Sequence, residues 1–292
     1  MLNTDIQKIL EEPQDKKIDI SPPHRLLRID TYVNAYSDDA IAKTININNF
    51  SKITDIIFEP ERCLHGSQGS EKNFKTWGQL IQTRIIDYFR YIDFNAPLVI
   101  SARSTTSHII LVGYLLKTHS YISFANINPS TNIWDIWNFN HSGNSEPQGI
   151  TYFDKTMLSL VSKETKCKVV LFFSLNPVYK CDESRLDQIK KELEIESLNP
   201  ENQDIVIASL FSSSMKFAKQ EDIITIKKEI LNFFSDISIT YPNHTGLIIA
   251  SCLPLPLNFL IGNILNFQVH KQVTTMENVN GSYKIAWSSI NF

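Results

Sequence analysis

Glycine and cysteine are both scarce in this sequence, with nine glycines and four cysteines among 292 residues. None of the glycine-rich signatures of phosphate-binding loops is present, which disfavours a backbone cradle for phosphate groups. The cysteines form no CxxC pair, and the seven histidines have no spacing typical of metal ligands. The sequence therefore predicts reduced thiols, no metal site and no cofactor.

The sequence also lacks an unbroken apolar run of transmembrane length, about 18 residues. Its first 17 residues, MLNTDIQKILEEPQDKK, are charged and contain no apolar core of a signal peptide. A net charge of −3 and an isoelectric point near 6.2 provide no basic surface field for duplex nucleic acid. We expect a cytoplasmic globular protein without a membrane span that does not bind duplex nucleic acid.

One stretch of the sequence occurs twice. Residues 98–117, LVISARSTTSHIILVGYLLK, align without a gap with residues 247–266, LIIASCLPLPLNFLIGNILN, which lie 149 positions later. Each copy predicts a buried strand, a turn and an apolar helix. Gly113 and Gly262 share one helix position, and we expect a packing reason for them, such as close approach to the sheet. We interpret the match as a duplication, although two ordinary strand-turn-helix units could also be alike by chance.

Strand patterns alternate with helix patterns along the chain, which predicts an α/β fold with a mainly parallel sheet in each of two halves related by pseudo-two-fold symmetry. A polar segment at 141–148 favours a division into a linker or short helix (1–24), a first half (25–148) and a second half (149–292). Besides the repeats, we predict strands at 28–36, 44–50, 121–126, 168–175, 204–210, 272–277 and 283–287, and helices at 76–91, 151–162, 182–195 and 220–234.

Ligands of open α/β sheets bind at the carboxyl ends of the strands. In the first repeat this end, SARSTTS at 101–107, carries five hydroxyl residues and Arg103 and leads into a helix, a combination that suits a phosphate. The alternative is that these hydroxyls only cap the helix. Pro254 and Pro256 stiffen the second turn and remove hydrogen-bond donors. The second turn is therefore less suited to an anion and better suited to shaping the wall of a binding site. Trp134 and Trp137 could stack on bases or cover the sheet.

Several segments together resemble the SAVED domain, a fusion of two CARF-like units that senses cyclic oligonucleotides in CBASS and CRISPR anti-phage defence. They are RIDTYVNAYSDD, KTWGQLIQTRIIDYF, APLVISARSTTSHIILVGYLL, TNIWDIW, LIIASCLPLPLNFLIGNILN and SYKIAW, and their order along the chain carries the resemblance. The resemblance implies two CARF- or Rossmann-like halves with a pocket for a cyclic tri- or tetranucleotide that contains adenine. The residues it implies as ligand contacts are Arg103, Ser104, Thr105, Thr106, Ser107, Trp134, Asn176, Lys216, Cys252, Leu253 and Pro254.

The resemblance also implies that ligand binding drives self-association and activates an effector. SAVED domains usually follow an effector domain, whereas only about 25 residues precede the similar region here, too few for such a domain. We therefore expect a sensor that controls a partner subunit or a sensor taken from a longer protein. Two alternatives stay open. One is a ring nuclease that uses His108, Ser104 and Thr106, and the other is a scaffold that binds only a protein partner.

Overall fold

The structure is a computed structural model, and it describes residues 24–30, 50–57, 74–89, 97–127, 134–139, 151–157, 162, 164–177, 182–195, 204–213, 218, 220–266, 268–270, 272–279 and 281–289. These residues fall into two compact units, each built on one sheet. Among them no helix is long and apolar enough to cross a membrane. In the same part of the chain, no three His, Cys, Asp or Glu side chains are grouped so that they could hold a metal ion.

The first unit contains a five-stranded sheet in the order β2-β1-β3-β4-β5. The first four strands in this order are parallel, and β5 pairs with β4 in antiparallel orientation. β3 is the strand of the first repeat, and its apolar residues are buried because a parallel strand is covered on both faces. The strands are β1 (His24–Asp30), β2 (Phe50–Ile57), β3 (Leu98–Arg103), β4 (Ile122–Ile127) and β5 (Trp134–Asn138).

The second unit contains a six-stranded sheet in the order β11-β10-β9-β7-β8-β6. The four inner strands are parallel, and both edge strands are antiparallel. All eight residues of β7 are buried, as expected for a central parallel strand. The strands are β6 (Asp154–Met157), β7 (Cys167–Ser174), β8 (Asp204–Phe211), β9 (His244–Ser251), β10 (Val273–Val279) and β11 (Ser282–Ser288).

The helices of the described chain are α1 (Phe74–Phe89), α2 (Thr106–Leu115), α3 (Glu183–Ile195), α4 (Ile223–Thr240) and α5 (Leu255–Ile264). Most of α1, and all of α2 through α5, belong to the second unit. The predicted cap of α3 is present, because the backbone N–H of Arg185 donates to the carboxylate of Asp182 at 2.9 Å.

The two sheets repeat one topology. The order β2-β1-β3-β4-β5 in the first sheet corresponds to β8-β7-β9-β10-β11 in the second, with β6 added at the far edge. The repeat strands β3 and β9 occupy equivalent places, and in each sheet the last strand of the series is antiparallel. The predicted α/β fold with two similar, mainly parallel sheets is therefore confirmed.

The two repeat helices pack directly on each other. A Cβ added to Gly113 of α2 would lie 2.1 Å from the carbonyl oxygen of Phe259, and one added to Gly262 of α5 would lie 1.9 Å from that of Ile110. Phe259 and Ile110 are themselves equivalent positions, 149 residues apart, so the contact is reciprocal. The close approach that was expected toward the sheet is instead between the backbones of two helices, as small residues allow.

The structure corrects the predicted helix at 151–162. The described part contains the edge strand β6, which pairs with β8, and residues 158–161 are outside the described chain. The backbone N–H groups of Tyr152 and Phe153 each donate to the carboxylate of Glu229 on α4 at 2.9 Å, so they are not available to a helix. Strand pairing and this carboxylate override a local pattern that resembles a helix.

Other predicted boundaries shift or lie outside the described residues. The strand expected at 28–36 begins earlier, at His24, and is described only to Asp30. The strand expected at 44–50 is described only at Phe50, where β2 begins. The short N-terminal helix and the segment 141–148 lie outside the described residues. The division at 148/149 stays a prediction about the duplicated halves.

Candidate functional site

The second sheet has a topological switch point between β7 and β9, because the chain continues from β7 to β8 on one side and from β9 to β10 on the other. Ligands of such sheets bind in the crevice outside the carboxyl ends at this point. The predicted residue Cys252 directly follows β9, and Asn176 lies two residues after the end of β7. The backbone N–H of Cys252 donates to the carbonyl of Phe173 at 2.8 Å, which holds the two strand ends together.

Hydrogen bonds within the chain fix both turns beside this switch point. After β7, the hydroxyl of Ser174 donates to the carbonyl of Asn176 at 2.8 Å and accepts from its N–H at 3.0 Å. After β9, the side-chain amide of Asn258 donates to the carbonyl of Leu253 at 2.6 Å and lies 3.3 Å from that of Pro254. The carbonyls of Leu253 and Pro254 are therefore held by Asn258, and the role of these two residues as a wall of a ligand site stays a prediction.

The start of α2 is held by an acidic residue that was not predicted as a site residue. The hydroxyl of Thr106 and the backbone N–H of Ser107 both donate to Oε1 of Glu277 on β10, each at 2.6 Å. The Thr106 hydroxyl also lies 3.3 Å from the carbonyl oxygen of Ser251, so the turn regions of the two repeats meet here. The side chain of Glu277 thus accepts hydrogen bonds from two groups that the sequence predicted to contact a phosphate.

The electrostatics of this region reflect burial. Burial raises the pKa of the Glu277 carboxyl, although the hydrogen bonds from Thr106 and Ser107 favour its ionised form. Desolvation and the nearby Glu277 carboxylate raise the pKa of the Cys252 thiol, whereas Arg185 acts in the opposite direction. Arg185, in the first turn of α3, is a cation close to the switch point that was also not predicted.

Another predicted hydroxyl of this turn, that of Thr105, bonds to His108. The Nε2 atom of His108 lies 3.4 Å from the carbonyl oxygen of Gly78, so this nitrogen carries the proton. Nδ1 therefore accepts from the hydroxyl of Thr105 at 2.5 Å. Burial lowers the pKa of His108 to about 4 and keeps the ring neutral. Both ring nitrogens of His108 thus have partners inside the protein, and the ring-nuclease alternative stays a prediction.

A bulge in β11 completes the anchoring of α2. Thr275 pairs with Trp287 and Met276 with Ile285, so Ala286 is the extra residue. The indole N–H of Trp287 donates to the carbonyl of Ser107 at 2.6 Å.

In the first unit, Arg103 ends β3 and lies opposite Asp30 of β1 in the parallel register. The chain continues from β1 to β2 on one side and from β3 to β4 on the other, so Arg103 marks the switch point of the first sheet. Ser104, which follows it, is buried. Trp137 of β5 is also buried, which fits the role of covering the sheet and leaves no face for a base. The side chain of Trp134 and all of Lys216 lie outside the described residues.

No protein-family profile and no curated protein sequence matches the chain. Solved structures do match it. An Acinetobacter baumannii Cap4 SAVED/CARF-domain containing receptor with the cyclic trinucleotide 2′3′3′-cAAA aligns over 91% of this chain with a TM-score of 0.56 and 13% identity. The same receptor with 3′3′3′-cAAA aligns over 89% with a TM-score of 0.53 and 14% identity. The Moraxella osloensis Cap4 receptor aligns over 98% with a TM-score of 0.51 and 14% identity.

The chain has the SAVED/CARF fold. At these identities the likeness concerns the fold, and the resemblance found in the sequence is confirmed at that level. The alignments cover 51% to 53% of the Cap4 chains, so this chain spans about half the length of the receptors that it matches. In the SAVED/CARF fold of this protein, the predicted residues Arg103, Asn176 and Cys252 lie at the switch points of the two sheets.

Proposed function

We propose that this protein is a receptor for a cyclic oligonucleotide that contains adenine, with the ligand bound at the carboxyl ends of the parallel strands. The observation that carries the proposal is the duplicated α/β topology, which has a switch point in each sheet. It is supported by the SAVED/CARF fold, since two of the similar structures hold cyclic trinucleotides of adenine. A cyclic triadenylate is therefore the first ligand to test.

The residues in this proposal are those at or near the strand ends. Arg103 and Lys216 would offset the charge of the phosphates, Trp134 would stack on a base, and Asn176 would offer polar contacts. The turn formed by Cys252, Leu253 and Pro254 would shape the wall. The hydroxyl-bearing residues Ser104, Thr105, Thr106 and Ser107 belong to the same proposal, although three of them are hydrogen-bonded within the second unit.

The proposed output of binding is self-association of the receptor and activation of an effector, either a partner subunit or a fused domain, in cytoplasmic anti-phage defence of the CBASS type. Light scattering with and without ligand measures the first step. We expect a higher molar mass with a cyclic triadenylate than without it, and an unchanged mass despite saturated binding would contradict this part of the proposal.

Isothermal titration calorimetry with a panel of nucleotides tests the binding itself. The panel contains 2′3′3′-cAAA, 3′3′3′-cAAA, cyclic tetra-adenylate and, as a control, linear triadenylate. We expect saturable binding of at least one cyclic species and none of the linear one. If no cyclic member of the panel binds, the proposed function is wrong. Chromatography of the recovered ligand should show it intact, whereas cleavage products would favour the nuclease.

Replacement of Arg103 by Glu tests the predicted phosphate contact. Hydrogen bonds to charged groups contribute about 1.5–3 kcal/mol, so loss of one, with charge reversal, should weaken binding about tenfold or more. Lys117→Glu is the matched control, because this exposed lysine follows the C-terminal end of α2 and lies over the ring of Tyr114. Calorimetry of both variants should show a large loss only for Arg103→Glu. Equal affinities of both variants would remove Arg103 from the site.

A further inference from the structure

The first sheet carries a charged residue within one of its inner strands. Arg28 of β1 is half-buried and lies between Leu27 and Ile29, which are both fully buried. Inner strands of a parallel sheet are covered on both faces and are normally apolar, and arginine is one of the residues least often found inside a protein. An arginine at this place in the sheet is therefore unusual and points to a role other than packing.

The parallel register shows which residues share a face with Arg28. Arg28 lies opposite Ser101 of β3, and Arg103 lies two residues further along β3. Because alternate residues of a strand point to the same face, these three side chains lie on one face of the sheet. Neighbouring strands lie about 4.8 Å apart and rise about 3.3 Å per residue, which separates the Cα atoms of the two arginines by about 8 Å. Two long side chains can meet at one group from this separation.

The second sheet provides an internal comparison, because it repeats the topology of the first. Ser101 of β3 corresponds to Ala250 of β9, 149 residues later. Arg28 lies opposite Ser101, and Phe172 of β7 lies opposite Ala250. In the second sheet, Phe172 and Ala250 belong to an apolar core that includes residues of α3. A large apolar residue can thus fill the position of Arg28 in this fold, so the strand itself does not require the charge.

Arg28 is also close to the place where a ligand of such a sheet binds. It lies two residues before the end of β1, the strand that flanks β3 at the switch point of the first sheet. An arginine can bury its stem against a sheet and extend its guanidinium toward solvent. A guanidinium binds phosphate oxygens through two parallel hydrogen bonds. The sheet therefore places a second potential phosphate-binding group beside Arg103.

We propose that Arg28 binds a phosphate of the ligand and that it shares this phosphate with Arg103. This inference rests on the proposed function and adds a contact that the sequence did not single out, because an arginine within a short strand pattern gives no local signal. The register also places Asp55 of β2 opposite Arg28. The alternative is therefore that Arg28 only balances the charge of an acidic residue within the sheet.

Calorimetry of Arg28→Gln with 2′3′3′-cAAA tests the contact. We expect binding about tenfold weaker than that of the unmodified protein, because a hydrogen bond to a charged group is lost. Arg28→Lys retains the charge but loses the paired hydrogen bonds, so it should bind with intermediate affinity. It also provides a second measurement if the first variant does not fold. Arg84→Gln is the matched control, because Arg84 is likewise half-buried but lies on α1, and its replacement should leave the affinity unchanged.

A double-mutant cycle tests whether the two arginines share one phosphate. Arg103→Gln and the variant with both replacements are titrated in the same way. We expect the loss of affinity in the double variant to be smaller than the product of the two single losses, because groups that bind one phosphate do not act independently. Single losses that multiply would contradict the shared phosphate.

The outcomes separate this inference from the function on which it rests. If Arg28→Gln and Arg28→Lys both bind the ligand as tightly as the unmodified protein, Arg28 has only a structural role and the receptor function stands. If the unmodified protein binds no cyclic nucleotide of the panel, the receptor function fails and this inference fails with it.

Discussion

Two buried histidines in the second unit are held in their neutral form. Burial lowers the pKa of His108 to about 4, and burial together with the neighbouring His244 lowers the pKa of His270 to a similar value. The rings of His244 and His270 are joined by a nitrogen–nitrogen contact of 3.1 Å. Because the unfolded chain takes up protons near pH 6.5, these groups favour folding above that pH, and the advantage is lost as the pH falls toward 4.

The neutral state of the His108 and His270 rings can be measured by titration. Nuclear magnetic resonance of the ring protons should give midpoints below pH 5 for His108 and His270. Urea unfolding of the protein at pH 7 and pH 5 should show a loss of stability to which His108 contributes about 2 kcal/mol. In His108→Gln this loss should be smaller by that amount. A midpoint near 6.5 for His108 would contradict the buried, neutral ring.

At the scale of single residues, the sequence singled out the hydroxyl residues near α2 as candidate contacts but did not reveal their partner within the protein, Glu277. Thr105, Thr106 and Ser107 were recognised because they belong to a cluster of five hydroxyl residues that leads from a strand into an apolar helix, a local signal. Glu277 gave no such signal, since one acidic residue near the end of a strand is common. Its role depends on a contact with Thr106 that spans 171 positions of the chain, and only the fold reveals it.

At the scale of elements, α2 and α5 approach each other more closely at their glycines than any other described glycine approaches a neighbouring backbone. The Cβ positions of Gly113 and Gly262 would fall 2.1 Å and 1.9 Å from carbonyl oxygens of the opposite helix. These oxygens belong to backbone, so neither can rotate away as a side chain would. A side chain at either glycine would therefore force the two helices apart and disrupt their packing.

Replacement of Gly262 by Ala should therefore destabilise the protein by about 1–3 kcal/mol or more, as overpacking does. The direction of the change in stability is informative, because in an isolated helix the replacement of Gly by Ala stabilises the helix by about 1 kcal/mol. Asn232→Ala, at an exposed position of α4, is the control and should have little effect. Urea unfolding measures both variants. A more stable Gly262→Ala protein would show that the helices do not approach as described.

The sequence predicted the strands and helices of the repeat better than it predicted which elements they pack against. Its apolar runs identified β3, β9, α2 and α5, although β9 begins three residues before the repeat, because buried strands and helices carry strong local patterns. The glycine position was correctly linked to packing, but the helix-to-helix contact was not foreseen. The edge strand β6 was taken for a helix, since its pairing with β8 depends on a distant part of the chain.

At the scale of the whole molecule, two sheets of one topology extend the duplication beyond the 20-residue repeat. Each unit has a strand order that places one switch point at the end of a repeat strand, β3 in the first sheet and β9 in the second. The sequence detected only the most apolar part of this duplication, because buried positions tolerate few residue types whereas the rest of each half diverges freely.

Hydrogen exchange should reflect this layout. β7 is paired on both sides and fully buried, whereas β6 is a four-residue edge strand. Exchange measured by mass spectrometry should therefore be slowest in peptides from β7 and β9 and much faster in those from β6. Protection of β6 equal to that of β7 would indicate a different sheet order.

The two compact units are interleaved along the chain. α2 follows the last strand residue of β3 after a short turn, yet it is counted with the second sheet, where Gly113 meets α5 and Ser107 meets Glu277. A fragment that starts at residue 149 would thus lose one side of the paired helices and leave the indole of Trp287 without its acceptor. Expressed alone, such a fragment should be insoluble. The second half of this protein therefore depends on α2 and can be transferred to another protein only together with that helix.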